Sequence, residues 1–178
     1  ENTDLFPVRL SSASAEMYRR MAALSADEGE RAYLTAIAEE RPGWQESLGE
    51  RQKEMLGTTI AFTMAGGSQA ANVIPQEAYV ICNIRVAPGE AVAGAVAALQ
   101  TVADRHQVEL EVLRSNEPSP VTDPRGEAFA RVERAIQAAW PGTEVLPFLL
   151  SGGTDTKHFV SLCPNCLRFT AYRISADQ

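Results

Sequence analysis

Ala78-Tyr79-Val80-Ile81-Cys82-Asn83-Ile84-Arg85-Val86 is the stretch whose pattern decides the fold. Ala78, Val80, Cys82, Ile84 and Val86 alternate with Tyr79, Ile81, Asn83 and Arg85. A period of two with unlike faces is a β-strand. Upstream, 58–64 is rich in β-formers and Gly66-Gly67 supplies a turn. Downstream, Pro88-Gly89 stops the strand, and Val92, Val96, Leu99 and Val102 then fall at helical spacing. Val108, Leu110 and Val112 alternate with Glu109 and Glu111, a half-exposed strand. Residues 58–114 therefore read β-β-α-β. That is the greater part of a split βαβ layer, an antiparallel sheet with helices on one face, so the fold class is α/β.

Farther out, the first third reads as helical. Met17, Met21 and Leu24 share a face behind Ser12 or Ser14 as cap. Asp27 with Glu30 resembles a capping box that opens a second helix, its inner face Ala32, Tyr33, Ala36 and Ile37. Arg41-Pro42-Gly43 ends it, and a third helix carries Trp44, Leu48 and Met55. After a linker at Glu117-Pro118-Ser119-Pro120, the tail reads α-β-α-β. Phe129, Val132, Ile136 and Ala139 mark its first helix. Residues 145–150 form a strand of the kind buried on both faces, either on the leading helices or on a neighbouring chain. A short helix through Phe159 and Leu162 follows, and a last strand spans 167–174.

Composition narrows the function. The 178 residues are 45% hydrophobic and 22% charged, an ordinary globular balance. Net charge is -7, which argues against a sequence-independent grip on nucleic acid phosphates. No apolar run approaches the roughly 18 residues of a membrane helix, so no membrane partner is expected. The chain opens at Glu1 without a basic region followed by an apolar one, so no signal peptide is expected in it. Nothing in the Cys usage fixes the compartment. Two His and three Cys are too few for a His-rich catalytic metal site.

Three places can carry chemistry. Ser151-Gly152-Gly153-Thr154-Asp155 follows the 145–150 strand and precedes a helix, where open α/β sheets bind ligands. Backbone N–H groups at the helix start favour an anion, and His158 lies one α-helical turn past Thr154. The plainer reading is a tight turn capped by Thr154 or Asp155. Arg85, with Asn83, can clamp a carboxylate through its bidentate fork; the plainer reading is a solvated edge Arg. Cys163-Pro164-Asn165-Cys166 has the spacing of a redox pair or half a zinc site. No second pair completes it, and a β-turn with two incidental Cys is the better reading. Cys82 reads as a packed thiol and His106 as an exposed helix end.

Taken in order, these motifs resemble a known family. The run 58–64, Gly66-Gly67, Asn72-Val73-Ile74-Pro75, Asn83-Ile84-Arg85 and Pro88-Gly89 is similar to the dimerisation (lid) domain of M20 metallopeptidases. The nearest branch is that of Gly-Xaa carboxypeptidases and N-acyl-amino-acid hydrolases. Glu117-Pro118-Ser119-Pro120, Trp140-Pro141-Gly142, Gly152-Gly153-Thr154-Asp155 with His158-Phe159, and Leu167-Arg168-Phe169-Thr170 continue the likeness over roughly residues 50–174.

The resemblance implies residues 1–114 as a lid lacking its first strand and helix, and 115–178 as part of a zinc-peptidase catalytic domain. It implies a parent hydrolase whose two zinc ions activate water against an amide next to a free carboxylate. The substrate would be a small peptide or an N-acyl amino acid, and the assembly a homodimer. Zinc belongs to the parent; no catalytic or metal-ligating residue is assigned here, and the isolated chain is expected to be inactive. What carries over is substrate binding. Arg85 would hold the carboxylate and Asn72 would bond near the scissile carbonyl, both reaching into the partner's site. Gly153, Thr154, Asp155 and His158 would line the same subunit's pocket. The alternative is a non-catalytic dimerisation module of split βαβ type.

Overall fold

The computed structural model describes residues 5–150 and 153–170. Its elements are α1 (Ser12–Leu24), α2 (Glu28–Ala38), α3 (Trp44–Ser47), α4 (Glu50–Leu56), β1 (Thr59–Gly66), β2 (Tyr79–Arg85), α5 (Val92–Arg105) and α6 (Glu127–Ala139). A 3-10 turn covers Asp155–His158. The α/β class holds, with the helices outnumbering a two-stranded antiparallel sheet.

The core lies among the leading helices. Met17, Tyr18, Ala22, Leu34, Ile37, Ala38, Trp44, Leu48 and Leu56 form one buried cluster, and Ile37 is wholly enclosed. Ser11, one residue before the expected caps, caps α1 by accepting from the Ser14 amide at 3.1 Å. Asp27 caps α2 as expected, accepting from the Glu30 amide at 2.7 Å. The inner face of α2 is rotated from the expected one. Leu34, Ile37 and Ala38 are buried, Tyr33 and Ala36 half-buried, and Ala32 exposed. The Trp44–Met55 helix is broken in two at Leu48-Gly49, where Gln52 turns back to accept from the Gly49 amide at 3.0 Å. Gln52 also accepts from the Tyr33 hydroxyl at 2.9 Å and donates to Tyr18 Oη at 3.4 Å, so one amide joins three elements. Burial pushes the Tyr18 phenol above its ordinary pKa, with the Gln52 contact opposing.

The helical core hands over directly to the hairpin. A side chain at Gly57 would stand 2.9 Å from the Lys53 carbonyl, so only glycine lets α4 turn this tightly into β1. Thr58 is buried at the joint. Its Oγ1 accepts from the Ala87 amide at 2.8 Å and donates to Glu90 Oε2 at 3.0 Å. From there β1 and β2 pair from Thr59↔Arg85 to Gly66↔Tyr79, with a bulge between Phe62 and Met64. The Tyr79 ring lies over Gly66, in space that any side chain there would need.

Two expected strands do not form. Residues 108–112 pair with nothing among the described residues. The Val108 amide turns back to the Ala103 carbonyl at 2.9 Å and closes α5 instead. Alternation fixes the side of the chain that faces inward; it does not bring the segment alongside a sheet edge. Residues 145–150 are likewise no strand, and Leu146, Phe148 and Leu150 are exposed. Pro147 has no N–H for a ladder, and no neighbouring strand is present among the described residues. The segment lies instead on the leading helices. Val145 accepts from Arg20 at 2.9 Å, and Phe148 and Leu149 border a small crevice with Ser14, Met17, Met55 and Leu56. The short helix through Leu162 shrinks to the 3-10 turn. Residues 167–170 are not strand, and the rest of that expected strand lies outside the described residues.

A charged cluster fastens the tail. Glu16 accepts from Arg20 at 3.1 Å, from Arg125 at 3.1 Å and from Arg19. Arg20 also pairs with Glu133 of α6 and stacks over the Phe129 ring, 5.4 Å from its centre. Burial alone would push the Glu16 carboxyl up. The hydrogen bonds from Arg20, Arg125 and Arg19 outweigh it and hold the pKa below the ordinary value.

Two outcomes follow. Thr58→Ala strands the buried Ala87 amide and is expected to lower unfolding free energy by about 1–3 kcal/mol, whereas Thr58→Ser retains the bond. Denaturant titration of both variants checks this, and equal losses would refute it. Because the Glu16 pKa is depressed on folding, its stabilisation is full above the unfolded value of about 4.3 and is lost as pH falls through the folded value. The stability gap between wild type and Glu16→Gln should therefore narrow on acidification from neutral pH; a constant gap would refute the linkage.

Candidate functional site

The hairpin is exposed in its outer half. Its burial grades along its length: Thr58 and Ala87 at the base are buried, Cys82 and Ile84 half-buried, and Phe62, Met64, Tyr79 and Val80 are 56–69% exposed. Ile74 in the connecting loop is 93% exposed. A run of large apolar side chains in the open, on a sheet with unpaired edges, marks an association surface.

Arg85 is the last residue of β2, opposite Thr59, and is exposed. The Thr58–Ala87 bond holds the backbone two residues beyond it, so the base of the hairpin fixes where the Arg85 stem starts. Asn72 is exposed in the loop 67–78, beyond the opposite end of the ladder. That loop has a turn of its own, in which the Val73 amide donates to Ala70 at 3.2 Å. No hydrogen bond joins Asn72 to Arg85 among the described residues. Asn83 is also exposed on β2.

In the tail, Gly153, Asp155 and His158 are exposed and Thr154 is half-buried. The Thr154 hydroxyl caps the 3-10 turn, accepting from the Thr156 amide at 3.1 Å and meeting the Thr156 hydroxyl. The expected α-helical spacing of Thr154 with His158 is replaced. At three residues per turn Asp155 and His158 share a face, and Thr154 lies beneath Lys157. A single 3-10 turn has no macrodipole to hold an anion, so the argument from a helix start does not apply. Among the described residues, apart from its chain neighbours, no atom lies within 4 Å of where a Gly153 Cβ would stand. Ser151 and Gly152 lie outside the described residues.

His106 caps the end of α5 and is exposed, as expected. Among the described residues no three His, Cys, Asp or Glu side chains cluster as metal ligands. The donors among the described residues do not assemble a two-zinc centre. The residues that sequence reasoning missed are Thr58 and the Glu16–Arg20–Glu133–Arg125 cluster. Glu16 and Arg20 carry a readable (i, i+4) spacing, but their partners Arg125, before α6, and Glu133, on it, are more than 100 residues away and leave no local signal.

A family profile described as a peptidase dimerisation domain, of the M20 class, matches residues 6–111, taking in the leading helices, the hairpin and α5. Among characterised proteins, a probable carboxypeptidase S-like 2 from Dictyostelium discoideum is 31% identical over 63% of this chain and 22% of its own length. The N-fatty-acyl-amino acid synthase/hydrolase PM20D1 of Xenopus tropicalis is 32% identical over 64% of the chain and 22% of its length. A succinyl-diaminopimelate desuccinylase from Nitrosospira multiformis is 34% identical over 56% of the chain and 26% of its length. The chain thus spans about a quarter of the length of these relatives. No solved structure matches it significantly. An apolar hairpin held out from a helical core, with the profile match running across both, places this chain in the M20 peptidase family, as a carrier of its dimerisation domain.

Proposed function

We propose that this chain is the subunit-pairing and substrate-gripping segment of a zinc-dependent M20 hydrolase that cleaves a peptide or N-acyl amide bond next to a free carboxylate. The observation that carries it is the exposed hairpin: it bears the apolar surface for a second copy and, at its base, an Arg with no ion-pair partner within 4 Å among the described residues. The names of the relatives, a carboxypeptidase and two enzymes of acylated amino compounds, are consistent with substrates of that class.

Each residue has a role in this proposal. Arg85 receives the substrate carboxylate in a two-pronged, charge-assisted pair. The Asn72 amide donates to the carbonyl beside the scissile bond. Gly153 offers a backbone surface without a side chain, Thr154 a hydroxyl, and Asp155 with His158 a polar face beside them. The two groups lie on different parts of the chain with no hydrogen bond between them among the described residues, an arrangement suited to a site completed across a homodimer. Residues 1–114 act as the lid and 115–178 as the start of the catalytic domain's remaining half; the profile match ends at residue 111, close to that boundary. Zinc would supply the activated water in the parent enzyme. This chain's own residues bind and orient substrate, and alone it is expected to hydrolyse nothing. A purely structural dimerisation module would use the same apolar hairpin without Arg85.

Two measurements separate these. Light scattering across a wide concentration range should show reversible dimers that Phe62→Glu with Val80→Glu converts to monomers of unchanged circular dichroism; a monomer at every concentration would remove the pairing surface. In the full-length enzyme, Arg85→Ala should lower kcat/KM on the order of 10- to 100-fold, because the carboxylate loses its charged partner. Unchanged kinetics would leave the structural module as the better reading.

A further inference from the structure

Cys163 and Cys166 are free thiols, the first exposed and the second half-buried. The bend between them lacks the backbone hydrogen bond that closes a standard β-turn. In such a turn the Cys166 amide would donate to the Cys163 carbonyl. Here it donates to Thr122 Oγ1 at 3.1 Å, and the Thr122 hydroxyl donates back to the Cys166 carbonyl at 3.4 Å. The Cys163 carbonyl is left to the Cys166 thiol, whose Sγ lies 3.5 Å from it. The Cys163 thiol curls inward as well, 3.5 Å from the Asn165 carbonyl. Both sulfurs therefore fold back over the Pro164-Asn165 bend. One end of the bend is pinned to Thr122, and the ring of Pro164 restricts φ within it.

We propose that Cys163 and Cys166 are a modification site: a dithiol that closes to an intrachain disulfide by exchange with low-molecular-weight disulfides such as oxidised glutathione. The exposed Cys163 thiolate attacks one sulfur of the small disulfide, forming a mixed disulfide and releasing one small thiolate. The Cys166 thiolate then attacks the Cys163 sulfur and expels the second. The protein gives up two protons and two electrons, and the small disulfide is reduced to two thiols. Cys82, half-buried on β2 opposite Phe62, is the competing thiol that the Cys82→Ser variant tests. The Cys166 Sγ also lies 4.0 Å from the Thr156 carbonyl, so closure acts on the 3-10 turn at Asp155–His158. The disulfide does not rest on the function proposed above.

The test is intact-mass and peptide-mass spectrometry of the whole chain after incubation with oxidised glutathione. Wild type and Cys82→Ser should each lose two hydrogens and retain no adduct, with the bond mapped to Cys163–Cys166. Cys166→Ser should stop at a glutathione adduct on Cys163, and Cys163→Ser should gain far less adduct. A persistent adduct on wild type, a bond to Cys82 or a disulfide between chains would overturn the proposal. Amide exchange at 154–158 should slow in the oxidised wild type; unchanged exchange would overturn the coupling to the turn. None of these readouts requires hydrolytic activity, so their failure is distinct from failure of the Arg85 kinetics.

Discussion

Everything in this chain depends on the burial of Ile37 and its neighbours between α1, α2 and the broken α3–α4 pair. That cluster is where the described residues concentrate their large enclosed side chains. A β-hairpin alone in water is marginal at best. This one stands because its base is an extension of the helical core: Leu56 is buried in the cluster, Gly57 turns with no room for a side chain, and Thr58 ties the two strands together. Outward from that joint, burial falls until the apolar side chains are in the open.

This gradient connects packing to function. A surface that carries Phe62, Met64, Tyr79 and Val80 outward while the base is rigid is suited to pairing, because little ordering remains to oppose association. The same rigid base positions Arg85. At the other end of the chain, Arg20 draws α6 and residues 145–150 onto the helices through one half-buried guanidinium serving Glu16, Glu133 and the Val145 carbonyl. The tail is held by polar contacts at a few points, with Phe159, Leu162 and Phe169 largely uncovered.

Much of this was legible from local pattern. The period-two alternation of 78–86, the Asp27 cap, the helical stripe at Phe129 and Ile136 and the family motifs from 58 to 89 are all short-range signals, and each has its element or match. Where the reading erred, the deciding term was non-local. Val108–Val112 alternates as a strand should, but it does not lie in a ladder with either edge of the hairpin and so exchanges no strand hydrogen bonds among the described residues. Residues 145–150 are apolar enough for a buried strand, yet Pro147 and the absence of neighbours among the described residues leave them as cover for α1 and α4. Thr154 and His158 were placed on an α-helical face; the turn wound at three residues instead of 3.6, and their alignment was lost.

The sequence by itself determined the class, the two-faced strand, the helical caps and membership of the family, because those depend on spacing along the chain. Tertiary structure decided which polar groups meet. Thr58 with Ala87, Glu16 with Arg125, Arg20 with Glu133 and the Cys166 amide with Thr122 join residues separated by tens of positions or more. No periodicity encodes such pairs. Once the apolar core has fixed the backbone, each takes the partner within reach, and for the buried Ala87 amide going unpaired would be costly.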